Sequence, residues 1–492
     1  MASTIGHRIH FKSFWDKYSD RPDMKSMMLN QNAEDLEQAD TEEVLTSLPN
    51  INGKDAVDIG AGIGRFTAVL AQTAKHVLST DFIEEFIKKN KENNGHLENV
   101  DFAVGDAVHL DLHTNSVDFV FTNWLMMYMN DKEVIEFLLK ALSWLRAGGY
   151  LHLRESCSEP STGAHRSSNG VSLHDANAIN PTSYRYSSLY INIIRSCFNS
   201  FFFPFKFYSS MNKLLNCHKK LRCVRWEDEE SRKWKFDLLW STSMHTYVER
   251  MHNWRQVHWL LKKVPAESTD PVLSFNDLLG LFSHTWNEEQ RKWDKRLDSE
   301  TFVWTDKLME SALSTFPPSF DTAFVYTPRR LSSSLHINSH FLAERFSLNV
   351  WNVEGNPMYY RTSLTKANTN KDTRVRFAWH PSLTKSIEYW KEREVVFDTF
   401  IATELLSSEE DKQELANVKN ILDQDAKVVF IEPIPISQKD SIVETLSSNG
   451  FDSITVTDVS TQALEEIQRY HKEHSLEMEN YPSDWIIVTA RV

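Results

Sequence analysis

The chain has 492 residues, 41% of them hydrophobic and 25% charged, enough for two to four domains of ordinary globular composition. A formal net charge of −14 argues against a general nucleic-acid-binding role, and the lack of any run of about 20 apolar residues argues against stable membrane insertion. The four cysteines, Cys157, Cys197, Cys217 and Cys223, show no CxxC spacing, and the start MASTIGHRIHFKSFW has no apolar leader core, so reduced thiols, no metal centre and a cytoplasmic location are expected.

Residues 12–50 read as amphipathic helix, through MKSMMLN and EDLEQADTEEVLTSLP. From 54 to 155 strand and helix alternate. DAVDIG is a strand and GRFTAVLAQTA a helix; HVLSTD is a strand and FIEEFIKKNKENN a helix. VDFAVGDA and SVDFVFTNW follow as strands. DKEVIEFLLKALSWLRAGG reads as a helix stopping at its glycines, and YLHLRES as the next strand. Such alternation predicts a parallel sheet covered by helices. Residues 156–190, rich in Ser and Asn, predict a loop over the site.

The segment 197–223 holds six phenylalanines, three of the four cysteines and no acidic residue. It reads as an atypical insertion foreign to the domain, with a membrane-surface patch as the alternative. Strands and a helix over 224–265 complete a first domain, 1–265, and 266–325 reads as a helical connector. VVFDTFIATELL then echoes VDFVFTNWLMMY, and ELANVKNILDQDAKVVFIEPIP echoes FLLKALSWLRAGGYLHLRES. The chain is therefore expected to be α/β, with two tandem Rossmann-like units and the second over 326–492.

In an open parallel sheet ligands bind beyond the carboxyl ends of the strands. The first strand runs into GAGIG, where Gly60, Gly62 and Gly64 let main-chain amides approach a ligand with no Cβ between. Asp81, followed by Phe82, ends the second strand and suits two ribose hydroxyls. Asp106 and Ala107 follow the third strand, an acid for an adenine amino group and a small residue for its ring. Asn123 ends the fourth. A dinucleotide fingerprint would need glycine where the chain has Arg65, so the set predicts a class I methyltransferase using S-adenosyl-L-methionine. Trp124 and Tyr128, just beyond, offer aromatic faces to a cationic acceptor. After residue 300 only Gly355 and Gly450 remain, and no glycine turn follows the first strand of the second unit. That unit is expected to be degenerate, to bind no methyl donor, and to serve in support or regulation.

The stretches SFWDKYSDRPDMKSMMLN, VDIGAGIGRFT, TDFIEEFIKKNKENNGH, FTNWLMMYMNDKEV, GGYLHLRESC and NPTSYRY resemble the phosphoethanolamine N-methyltransferases of plants and nematodes. The likeness is close over 12–195 and looser over the tandem layout. It implies a chain whose N-terminal unit methylates phosphoethanolamine to phospho-monomethylethanolamine, the first step toward phosphocholine. It also implies catalytic roles for Tyr18 and Tyr128, where other members pair a tyrosine with a histidine; two tyrosines here favour orienting the amine over accepting its proton. Tyr184 and Arg185, in SYRY, are implied for the phosphate, with Lys262 or Lys263 as the candidate for a late lysine. Residues 27–30 are expected to lid the pocket, and the protein to act as a monomer. Alternative readings are a methyltransferase for another small amine, and a non-catalytic donor-binding scaffold.

Overall fold

The computed structural model describes residues 2–20, 22–30, 33–157, 181–194, 226–227, 233–267, 275–280, 304–314, 321–328, 337–473 and 481–492. They fall into two compact units, one up to Gly280 and one from Trp304. The expected insertion at 197–223 lies outside the described residues. Among the described residues no helix is long and apolar enough to cross a membrane.

In the first unit the helices α1 (Ala2–Asp16), α2 (Met24–Met28) and α3 (Ala33–Ser47) precede the sheet. The strands are β1 (Asp55–Ile59), β2 (His76–Asp81), β3 (Val100–Val104), β4 (Val117–Thr122) and β5 (Leu145–Ser156), then β6 (Trp226–Glu227), β7 (Lys233–Ser243) and β8 (Gln256–Pro265). Between them lie α4 (Arg65–Leu70), α5 (Glu84–Asn94), α6 (Asp131–Trp144), α7 (Ser187–Ile194) and α8 (His245–Met251). The sheet order is β3-β2-β1-β4-β5-β8-β7, with β6 paired to β7. Its first five strands are parallel, and β8 runs antiparallel to both β5 and β7. Order reverses between β1 and β4, so the crevice lies at their carboxyl ends. Ala56, Val77, Phe119 and Phe121 are buried in one core with Leu36, Val44, Phe66 and Tyr247 from α3, α4 and α8.

One sequence expectation fails at α6. The helix opens on a capping box, Asn130 Oδ1 accepting from the Glu133 amide at 3.0 Å and Glu133 Oε2 accepting from the Asn130 amide at 2.8 Å. It stops at Trp144 rather than at the glycines. Leu145 already pairs with Val117, and Gly148 (φ +78°) and Gly149 lie inside β5. A Cβ at Gly149 would stand 2.8 Å from the Asp118 carbonyl oxygen, so these glycines permit close strand approach, not a helix cap.

In the second unit β9 (Thr322–Thr327), β10 (Asn349–Glu354), β11 (Val375–Trp379), β12 (Phe397–Thr403), β13 (Leu422–Glu432), β14 (Asp452–Asp458) and β15 (Ile486–Arg491) take the order β11-β10-β9-β12-β13-β15-β14. This is the first unit's topology again. β9 straddles the boundary that the sequence places at 325, and helices Phe275–Gly280 and Trp304–Ser314 fall in the expected connector. The repeat extends to single bonds. Asp118 accepts the Asp55 amide, and Asp398 accepts the Thr322 amide. Trp124 (φ +55°) and Glu404 (φ +54°) both enter the left-handed region after the fourth strand.

Candidate active site

A cavity of about 100 Å³ opens at the carboxyl ends of β1, β2 and β4, roofed by α1 and α2. Its floor is the glycine turn. Gly60, Gly62 and Gly64 have φ of +75°, +57° and +87°. A Cβ on Gly62 would meet Met27 Sδ at 3.1 Å, so the α2 side chain rests on bare backbone. A Cβ on Gly64 would lie 1.9 Å from Asn90 Oδ1. Behind that glycine, Thr67 Oγ1 donates to Asp58 Oδ2 at 2.7 Å, Asn90 Nδ2 to Ser79 Oγ at 2.8 Å, and Asn94 Nδ2 to the Gly64 carbonyl at 3.0 Å. This buried network fixes the turn from beneath.

Two carboxylates, Asp58 and Asp81, and one amide line the space, and a third carboxylate, Asp106, stands just behind its lining between Gly105 and Ala107. Asp81 Oδ2 accepts the Gly62 amide at 2.9 Å, and its Oδ1 accepts the Ile83 amide at 2.9 Å. Burial pushes its carboxyl up to about 6, against these amide bonds. Asp58, inside β1, also lines the cavity, and burial pushes it up to about 7. Asp106 accepts the Val108 amide at 3.1 Å and is gripped by Arg8 of α1. Asn123 lines the cavity, and its Oδ1 is buried without a hydrogen bond in the structure. Phe82 and Ala107 complete that side. The unpartnered Asn123 oxygen and carboxylates with lone pairs to spare, beside side-chain-free amides, fit a ligand bearing hydroxyl and ammonium donors, as the methyl donor does.

The turn after β4 is held by a buried acid the sequence reading overlooked. Glu155 Oε1 accepts the Leu125 and Met126 amides at 3.2 and 2.7 Å, and Oε2 accepts the Met127 amide at 3.0 Å. Tyr128 follows on that turn and lines the cavity. Its ring meets Phe11, Phe14 and Trp15 of α1 at 6.1, 6.3 and 5.3 Å. Tyr18 packs on Phe14 and Trp15 at 5.5 and 5.7 Å, so both tyrosines belong to one aromatic cluster, against which Tyr184 also packs.

Trp124 lines the cavity, yet its indole N–H is committed to Gln256 Oε1 at 2.7 Å and the Arg154 guanidinium lies 4.3 Å from its ring. Arg154 in turn pairs with buried Asp40 of α3, which Arg65 also contacts at 2.5 Å. Arg185 is 6% exposed and turns inward. It donates to Asp131 Oδ1 at 3.0 and 2.8 Å and to the Met126 and Met129 carbonyls at 3.0 and 2.7 Å. Lys262 pairs with Tyr150 midway along β5, and Lys263 Nζ donates to the Leu145 carbonyl at 2.6 Å. Neither lines the cavity. Asp58, Glu155 and most of α1 were not read from the sequence. The signal for α1 was present in Phe11, Phe14, Trp15 and Tyr18, spaced i, i+3, i+4 and i+7.

A methyltransferase-domain family model matches residues 57–153. The chain is similar to Phosphoethanolamine N-methyltransferase 1 of Caenorhabditis elegans, at 50% identity over 467 residues, covering 95% of this chain and 92% of that one. It is similar to the structure of Haemonchus contortus Phosphoethanolamine N-methyltransferase 1 in complex with phosphoethanolamine and S-adenosylhomocysteine. There the identity is 49% and the TM-score 0.88, over 99% of this chain and 98% of that one. Haemonchus contortus Phosphoethanolamine N-methyltransferase 2 in complex with S-adenosyl-L-methionine shares the fold at 16% identity and a TM-score of 0.54, over 92% of this chain and 99% of that one.

Proposed function

The chain belongs to the phosphoethanolamine N-methyltransferases, and from that premise we infer that it transfers a methyl group from S-adenosyl-L-methionine to the amine of phosphoethanolamine, giving phospho-monomethylethanolamine. One observation carries the reading: near-complete coverage at 49% identity by a structure in complex with this substrate and the spent donor. The strand-tip cavity of the first unit supplies the place.

The bound donor supplies a sulfonium-activated methyl carbon; the protein supplies everything that aims it. In our reading Asp81 accepts the ribose hydroxyls, Asp106 the adenine amino group, and Phe82 and Ala107 flank the base. Asp58 and the unsatisfied Asn123 oxygen face the donor's ammonium, while the amides of Gly60 and Gly62 admit its carboxylate. Gly64 lets α4 begin directly behind. The acceptor must present a lone pair, so the site must hold the free amine rather than the ammonium. Tyr128 and Tyr18 orient that nitrogen, and the enclosing aromatic cluster and α2 exclude water. Trp124 offers the amine its face opposite Arg154. Tyr184 and Arg185 take the phosphate, with Arg185 exchanging Asp131 for phosphate oxygens as substrate enters. The second unit binds no donor. The reaction runs in the cytoplasm, carried by a monomer whose site draws on one chain.

Incubation of the full chain with methyl-labelled donor and either phosphoethanolamine or ethanolamine tests this. Label should appear in phospho-monomethylethanolamine alone. Labelling of ethanolamine in preference would refute the phosphate recognition, and donor binding without any labelled product would refute catalysis.

A further inference from the structure

A single cation ties α1 across the cavity. Arg8, with 15% of its side chain exposed, donates from Nε to Asp106 Oδ2 at 2.9 Å, from Nη2 to Asp106 Oδ1, and from Nη1 to the Tyr128 carbonyl at 2.9 Å. Its guanidinium carbon stands 5.5 Å from the centre of the Phe82 ring. One side chain thus joins α1 to the segments after β2, β3 and β4. On the assignment of Asp106 to the adenine amino group, on which this inference rests, these segments surround the base.

We propose that Arg8 is a clasp that closes α1 over the adenine end of the donor site through Asp106, so that opening this ion pair controls exchange of the nucleoside. A carboxylate offers about four acceptor positions. Arg8 takes one on each oxygen and the Val108 amide takes a second on Oδ1. One position on Oδ2 is left for the amino group; His109 Nδ1, at 3.4 Å, approaches that oxygen from the exposed side. Asp106 therefore serves helix and nucleoside together. The planar guanidinium fork fixes the plane of the carboxylate and presents its remaining lone pair in a set direction. Spent donor must leave after every turnover, and with α1 across its adenine end it leaves only when the clasp parts. The pair is largely out of water, which gives it more hold than a surface ion pair.

Stopped-flow release of S-adenosylhomocysteine from the full chain tests the proposal. The native chain is compared with Arg8→Gln, Asp106→Asn and the double variant, after thermal melts establish that each is folded. Arg8→Gln should speed release on the order of tenfold and raise the donor KM by more than it lowers kcat. Arg8→Lys, a charge without the fork, should fall between. In the Asp106→Asn background Arg8→Gln should add less than about twofold, since the two act as one unit. Release within about twofold of native in Arg8→Gln, or the same acceleration in both backgrounds, overturns the clasp. Unchanged nucleoside affinity in Asp106→Asn refutes instead the adenine assignment, and the release rates of Arg8→Gln still decide whether α1 is held by this side chain.

Discussion

With Asp81 assigned to the ribose, as proposed, folding and binding pull its carboxyl in opposite directions. Burial raises its carboxyl from the ordinary 3.8 to about 6. With the folded value above the unfolded one, its contribution to stability is fullest below pH 3.8 and is lost as pH rises through about 6. On that assignment ribose hydroxyls donate to the ionised form, so nucleoside affinity changes in the other sense. Titration calorimetry should show S-adenosylhomocysteine binding roughly tenfold more weakly at pH 5 than at pH 7. Asp81→Asn should bind about thirtyfold more weakly at neutral pH, about 2 kcal/mol, with a shallower pH dependence, and its unliganded form should melt above the native one. Gly64 makes a second, purely steric case. Its φ of +87° and the 1.9 Å approach of Asn90 predict that Gly64→Ala loses about 3 kcal/mol of stability in denaturant titration. The places of Asp81, Asp106 and the glycines at the strand tips were legible in sequence because the apolar strands end there at fixed spacing. Asp58 was hidden by its position inside a buried strand, where an acid makes no pattern of its own, and Arg8 by a helix whose aromatic stripe went unread.

At the scale of elements, the turn between β4 and α6 takes its shape from a buried acid. Glu155 gathers three successive amides and so aims Tyr128 into the cavity. Glu432 does the same in the second unit, accepting the Leu405 and Leu406 amides at 2.8 and 3.0 Å. A device kept where no tyrosine follows the turn is a device for backbone shape. Glu155→Gln retains one acceptor and turns donors toward an amide N–H. It is expected to lower kcat about tenfold and stability by about 1–2 kcal/mol, while S-adenosylhomocysteine affinity stays within about threefold in the same titration. A larger loss of nucleoside affinity than of kcat would contradict this division of labour. The sequence displayed the strands on either side of this turn, through their apolar runs, but not the bond that joins them, because a carboxylate at a strand end reads equally as solvent-facing. It also misplaced the end of α6, since paired glycines signal a helix stop and a close strand approach alike.

Across the whole molecule, two units share one strand order, and they differ at the tips. By register Thr327 of the second unit stands where Gly60 does, Glu354 where Asp81 does, and Trp379 where Val104 does. All three are buried, and the Trp379 indole donates to the Gly355 carbonyl at 3.0 Å, spanning the tips that would face a base. The echo of VDFVFTNWLMMY in VVFDTFIATELL made the duplication legible, and the missing glycines made its decay legible. The central claim, that donor chemistry belongs to the first unit alone, is tested most directly by calorimetric titration of S-adenosylhomocysteine into the full chain and into its Asp81→Ala and Glu354→Gln variants. The account predicts one nucleoside per native chain, binding abolished in Asp81→Ala, and binding unchanged in Glu354→Gln. Two nucleosides per chain, or undiminished binding in Asp81→Ala, would contradict it.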